Sequence, residues 1–257
     1  MIGGAAVGAV TGLVDVAALE DRLGSGPDLR VSLELSRYEN GYSVAFADRY
    51  RPTPHQRQLM AGGGSPWESL FNELMAAGAW RIAHSTISVD VAGRRNQVIR
   101  IVDMRLVPRQ VGVPKPAAAG TLFDEPPQGG GPATMIGFDL DSPHPVAQVF
   151  DSVKGFGARY FPSHLYTLRK DEVGKFEVEL RAAKPLRHEF TIAIDYLVGS
   201  HPHTVTLGDP GHPHVFRVTG SACAEGGSGY TDGYTMAYEP VVHLEPLGGQ
   251  PPVCPDS

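Results

Sequence analysis

The chain reads as a mainly β protein, a two-sheet β-sandwich with one ancillary amphipathic helix, and three observations carry that reading. Apolar and polar residues alternate with a period of two through many short segments after residue 28. Turn formers punctuate those segments, with 31 glycines and 22 prolines among 257 residues. Within this β-rich run only one stretch, about residues 65–77, holds the 3.6-residue period of a helix. The length suffices for a full hydrophobic core in one domain, so the expected organisation is an N-terminal segment 1–27, a sandwich 28–220 and a Gly/Pro-rich tail 221–257.

The N-terminal segment opens with an uncharged run, IGGAAVGAVTGLV, from Ile2 to Val14. It is shorter than the roughly 18–20 residues that span a bilayer, and no basic region precedes it as in a signal peptide. Two readings stay open. One is the first turns of a helix that continues through Val16, Leu19 and Leu23 to Gly24. The other is the end of a membrane helix, which would bring the chain close to a membrane.

In LRVSLELS, Val31, Leu33 and Leu35 alternate with polar residues; Asn40-Gly41 then marks a turn, and Tyr42, Val44 and Phe46 resume the alternation. Residues 29–47 therefore predict a hairpin. The helix follows. Ser65-Pro66-Trp67-Glu68 has the capping-box pattern, Trp67, Leu70, Phe71 and Leu74 fall on one face, and Gly78 stands where a left-handed C-cap residue belongs. Beyond it the apolar phase changes between Trp80/Ile82 and Ile87/Val89/Val91, which requires a bulge or bend near His84–Ser85.

Further strand patterns occur at 97–107, 133–140, 165–169, 175–182, 188–198, 203–208 and 214–219, for about ten or eleven strands in all. VIRIVDMRLV carries apolar residues on both faces, which predicts a central strand covered on both sides, whereas KFEVELRA alternates and should face water on one side. Val113 to Pro132 reads as a long loop with a strand-like TLF insert. After Ser221 strand patterning survives only in YTMAY and VVHLEP, and a loose tail is expected.

The formal net charge is -6 and the 22 basic residues are scattered, so nucleic acid is not an expected partner. The nucleophile elbow, phosphate loop, dinucleotide fingerprint and HExxH helix are all missing from the sequence. No cofactor is demanded. A divalent metal is the one that side chains could hold, because His201-Pro202-His203 and His212-Pro213-His214 flank a Gly-Asp-Pro-Gly turn containing Asp209, and imidazoles with a carboxylate suit zinc, copper or nickel. Proline cannot donate to a sheet ladder, so both triplets are expected at strand ends or in loops, and a plain surface turn is the simpler account.

Asp139 and Asp141 in GFDLD share a face if the strand continues and could hold calcium; as acidic residues before Ser-Pro they read more simply as turn caps. Cys223 and Cys254 are the only cysteines. They are compatible with a disulfide outside the cytoplasm or with free thiols inside it. Tyr230, Tyr234 and Tyr238 are candidates for stacking on a carbohydrate.

The ordered set formed by the small-residue N-terminus, IRIVDMRLVPR, GTLFDEPPQGGG, IGFDLDSP, FTIAIDY and GHPHVFRVTG resembles a group of uncharacterised high-GC bacterial proteins, in which a membrane helix precedes an extracytoplasmic β domain. The resemblance covers most of residues 1–220 and rests on turn and strand signatures. It implies a location rather than an activity. The leading expectation is a non-catalytic extracytoplasmic binding or interaction module, with a protein or an envelope ligand as partner. The alternatives are a metal-binding protein or metal-dependent enzyme built on the HPH pairs, and a cytoplasmic structural or assembly component.

Overall fold

A computed structural model describes residues 27–35, 43–61, 67–82, 84–109, 115–124, 135–161, 163–208, 215–223, 229–237 and 243–246. The N-terminal run, the Asn40-Gly41 turn and the capping residues Ser65 and Pro66 lie outside them. Among the described residues no helix is long and apolar enough to cross a membrane.

Two mixed sheets form the sandwich. The first runs β1 (Leu29–Leu35), β4 (His84–Gly93), β11 (Val173–Arg181), β7 (Met135–Asp139), β8 (Gln148–Asp151) and β9 (Gly155–Arg159). The second runs β10 (Tyr166–Leu168), β5 (Ile99–Pro108), β12 (Arg187–Val198), β14 (Phe216–Thr219), β3 (Trp80–Ile82), β2 (Val44–Ala45), β6 (Thr121–Asp124), β15 (Asp232–Ala237) and β16 (His243–Pro246). A further strand, β13 (His201–Leu207), lies along β12 beyond the end of β14. The main core forms where Ile87, Val89, Val178, Leu180 and Phe138 of the first sheet meet Ile101, Met104, Ile192, Ile194 and Phe216 of the second. Each such side chain contributes about 1.5–3 kcal/mol through its removal from water.

Several expectations change once the sheets are seen. The anticipated hairpin over 29–47 does not form, because β1 pairs with β4 in the first sheet while β2 sits between β3 and β6 in the second. The pairing of Leu29–Leu35 with β4 gives a seven-residue ladder, where β2 is only two residues long. The phase change near His84 is the place where the chain leaves the second sheet for the first, which is how orthogonal corners are made.

β5 is not apolar on both faces. Ile99, Ile101 and Met104 are buried while Arg100 and Arg105 are exposed, and a bulge opposite Asp195/Tyr196 shifts the phase between Ile101 and Asp103. The insert TLF is β6, buried between β2 and β15. Residues 232–237 and 243–246, from the segment read as a tail, are strands of the second sheet.

Among the described residues two helices are present where one was expected. The second of them, α2 (Trp67–Ala76), buries Leu70, Phe71, Leu74 and Met75. The additional helix, α1 (Pro54–Ala61), starts with a reciprocal capping box: the Gln56 amide donates to Thr53 Oγ1 at 3.1 Å and the Thr53 amide donates to Gln56 Oε1 at 2.9 Å. Pro54 occupies the first helical position. Both helices pack against Val44, Phe46 and Phe123.

α2 ends in a Schellman motif, with the Gly78 amide donating to the Met75 carbonyl and the Ala79 amide to the Leu74 carbonyl, both at 3.0 Å. Gly78 has φ 103° and nothing lies within 4 Å of the place a Cβ would take. Replacement by alanine therefore meets only backbone strain. Gly78→Ala is expected to cost about 1 kcal/mol, read by calorimetry as a fall in Tm of about 2–4 °C. An unchanged Tm would contradict the left-handed cap.

Candidate functional site

The connection from β11 in the first sheet to β12 in the second, residues 182–186, is fastened on both sides. The Ala117 amide donates to the Pro185 carbonyl at 2.7 Å and the Arg187 amide to the Lys115 carbonyl at 3.0 Å. Below it Gly220 leaves no room for a side chain, since a Cβ there would fall on the carbonyl oxygen of Lys184. From the other side comes Asp141, just past the end of β7. Its Oδ2 accepts the backbone amides of Ala183 at 2.7 Å and Lys184 at 2.8 Å, and the Lys184 ammonium donates to the Asp141 carbonyl at 3.2 Å.

Asp139 caps the turn, its Oδ1 accepting the Asp141 amide at 3.0 Å. The carboxylates thus act as backbone caps, and among the described residues no third His, Cys, Asp or Glu gathers with them as a metal ligand. One oxygen is left over. Asp141 Oδ1 lies 3.6 Å from Nε2 of His188, the second residue of β12. Both atoms are sealed from solvent, and neither has a hydrogen-bond partner. The separation is just past hydrogen-bond length and within reach of electrostatic pairing. Leaving a buried polar atom unanswered costs about 1–3 kcal/mol, so a small ring adjustment that closes Nε2–H···Oδ1 is favoured.

That contact assigns the imidazole proton to Nε2 and leaves Nδ1 as an acceptor. Nδ1 has no hydrogen-bond partner among the described residues and is not sealed as Nε2 is. His188 lines a cavity of about 300 Å³ where the β7–β8 loop meets β5 and the start of β12. Leu106, Pro108, Leu140, Pro143, Leu186 and Phe190 give the cavity a mostly apolar lining. The loop is held there by a β-bridge between Arg105 and Val146.

Burial lowers the His188 pKa below its ordinary value, and the Lys184 charge acts in the same direction; Asp141 and Asp139 oppose it without overcoming it. The ring is thus neutral at neutral pH. A neutral imidazole held by a carboxylate can accept a hydrogen bond from a bound donor and, where the bound group is acidic enough, take its proton.

The other candidates fare differently. His201 and His203 open β13, opposite Val198 and Tyr196. His201 is exposed. His203 turns to a carboxylate, its Nδ1 lying 3.4 Å from Asp28 Oδ2, while its ring stacks on Tyr196 with centroids 5.4 Å apart. Asp28 also accepts from Arg95 Nε at 2.6 Å and the Tyr196 hydroxyl at 3.2 Å. Burial first, then the Asp28 charge, pushes the Tyr196 pKa up to about 12. Asp209, His212 and His214 lie outside the described residues, among which no three His, Cys, Asp or Glu side chains gather as metal ligands.

Cys223 is half of a disulfide, and Cys254, the only other cysteine of the sequence, lies outside the described residues. Tyr230 is buried and its hydroxyl accepts the Ala222 amide at 3.2 Å, while Tyr234 stacks on Phe123 at 4.8 Å. Those two rings are packing residues; Tyr238 lies outside the described residues.

A second buried carboxylate, Glu179 on β11, departs from the expectation that this strand turns its polar face to water. It accepts from Thr86 Oγ1 at 2.7 Å and Arg181 Nε at 2.9 Å, with His84 Nδ1 at 3.4 Å. Burial alone would raise its pKa; the bonds from His84 and Thr86 and the Arg181 charge together hold it below the ordinary value. Its oxygens are answered, so it reads as structural.

Sequence reasoning found Asp141 and missed His188, which stands in RHEFTIAIDY as one polar residue of a strand. The signal lies in the fold, which brings residues 141 and 188 together. No protein-family model matches the chain, and no curated protein matches it.

The lowered His188 pKa has a consequence for stability. The unfolded chain takes up the proton at a pH near 6.5, above the folded value, so the His188 contribution is complete above that pH and is lost as pH falls through the folded pKa. Urea unfolding of wild type and His188→Gln from about pH 8 to about pH 5 should show a constant difference above pH 7 that shifts against the wild type below about 6.5. A difference independent of pH would mean that the ring is not held neutral by burial.

Proposed function

We propose that this chain is an extracytoplasmic β-sandwich module that binds a small ligand in the cleft between the β7–β8 loop and the start of β12. The observation that carries the reading is His188. Its Nε2 is turned to an anchored carboxylate, its Nδ1 lacks a partner among the described residues, and it lines an apolar cavity of about 300 Å³. Pockets that take small molecules have this character, a mostly apolar wall with a few oriented polar groups. Placement at a loop braced by two sheets fits the same role, because a scaffold that fixes the loop spares the ligand the cost of ordering it. The disulfide at Cys223 supports the location, since such bonds persist in oxidising compartments.

Saturation-transfer NMR with the small-molecule fraction of the host's envelope and growth medium tests the binding. Transfer to at least one component is expected for the wild type and should disappear in Leu106→Trp, whose indole fills the cavity. Equal transfer with both proteins, or none with either, counts against the cleft as a binding site. The location is tested separately. Protein drawn from its native host should resist thiol alkylation until reductant is added, and free thiols there would remove the extracytoplasmic reading.

A further inference from the structure

Several side chains of the cleft wall have partners of their own. Arg187 Nε donates to the Pro116 carbonyl at 2.8 Å and its guanidinium lies 5.3 Å from the centre of the Trp80 ring. Glu189 Oε1 accepts from Arg217 Nε at 3.1 Å, and Ser142 Oγ accepts the His144 amide at 3.4 Å. Asp141 uses Oδ2 on two backbone amides and turns Oδ1 to the far side of the imidazole. His188 lines the same wall as Leu106, Leu140 and Phe190, and its Nδ1 has no hydrogen-bond partner among the described residues.

An acceptor of this kind selects by the partner it lacks. A carbonyl or ether oxygen would bring one lone pair against another. A cation would have to leave water for a mostly apolar cleft, and an anion would set its lone pairs against that of the nitrogen. A hydroxyl donates one hydrogen bond and carries no charge. We propose, building on the binding reading above, that the cleft recognises the hydroxyl of a neutral alcohol with a small hydrocarbon body, the hydroxyl donating to His188 Nδ1 and the hydrocarbon packing on Leu106, Leu140 and Phe190.

Three probes that share one hydrocarbon body separate the possibilities: cyclohexanol, cyclohexanone and cyclohexylammonium. Each is titrated into the ¹⁵N-labelled full chain at about pH 8, where the imidazole is neutral. Cyclohexanol should shift His188 and its neighbours and bind about tenfold or more tightly than the other two, the discrimination expected when a mismatched polar group is left unpaired. The imidazole nitrogens should report a proton on Nε2.

Asp141→Asn keeps an oxygen for the Ala183 and Lys184 amides and places an N–H donor against Nε2. The ring proton then moves to Nδ1, and the preference for alcohol over ketone should level or reverse. Wild-type binding of ketone or ammonium as tight as alcohol, a proton found on Nδ1, or an unchanged preference in a folded Asp141→Asn protein overturns the inference and leaves the cleft a binding site. The same holds if none of the three probes binds while a component of the host fraction still loses its transfer in Leu106→Trp. Failure of both experiments overturns the binding reading as well. If Asp141→Asn does not fold, the probe ranking and the wild-type tautomer decide.

Discussion

A carboxylate removed from water has to be answered by donors, and Asp141 is answered from the connection that joins one sheet to the other. Two backbone amides at Ala183 and Lys184 hold one of its oxygens, so the end of β7 and the entry to β12 have a fixed relation. Everything at the cleft follows from that staple. It sets His188 Nε2 against the second oxygen, beside the β-bridge that seats the β7–β8 loop on β5. Charge-assisted bonds of this kind are stronger than bonds between neutral groups, which suits a joint between two layers that otherwise touch through apolar side chains.

Burial acts on the two deep carboxylates in different ways. Glu179 sits on β11 with donors from its own and the neighbouring strand, and its charge is matched where it stands. Asp141 is matched by backbone on one oxygen and by an imperfect contact on the other. The first arrangement consolidates a sheet. The second leaves part of its hydrogen-bonding capacity to orient a histidine, and orientation of a ring nitrogen toward an open volume distinguishes a site from a structural network.

How much of this could be seen in the chain depends on the range of each interaction. The capping-box pattern Ser65-Pro66-Trp67-Glu68 and Gly78 are local signals, and they predicted the helix; Thr53-Pro54-His55-Gln56 has the same local form and marks α1, whose short, mostly polar sequence carries no long apolar period. The Asn40-Gly41 turn suggested a hairpin, yet β1 finds its partner about sixty residues on, and no local rule could outweigh that pairing. In VIRIVDMRLV a bulge mimicked a strand buried on two faces. Asp141 was legible as a turn cap. His188 was not, because its meaning comes from a residue 47 positions away (188 − 141) in the other layer.

The second sheet is stitched from distant parts of the chain, with β2 beside β6, β3 beside β14, and β6 beside β15. Parallel pairs such as Asp232 with Thr121 close long loops before any contact rewards them, and folds dominated by such contacts form slowly. An apolar strand such as β6 can pair with β2 early, but its other edge must wait for β15, synthesised more than a hundred residues later. For a nascent chain this means a long interval in an open state, in which chaperones can hold it and self-association competes with folding.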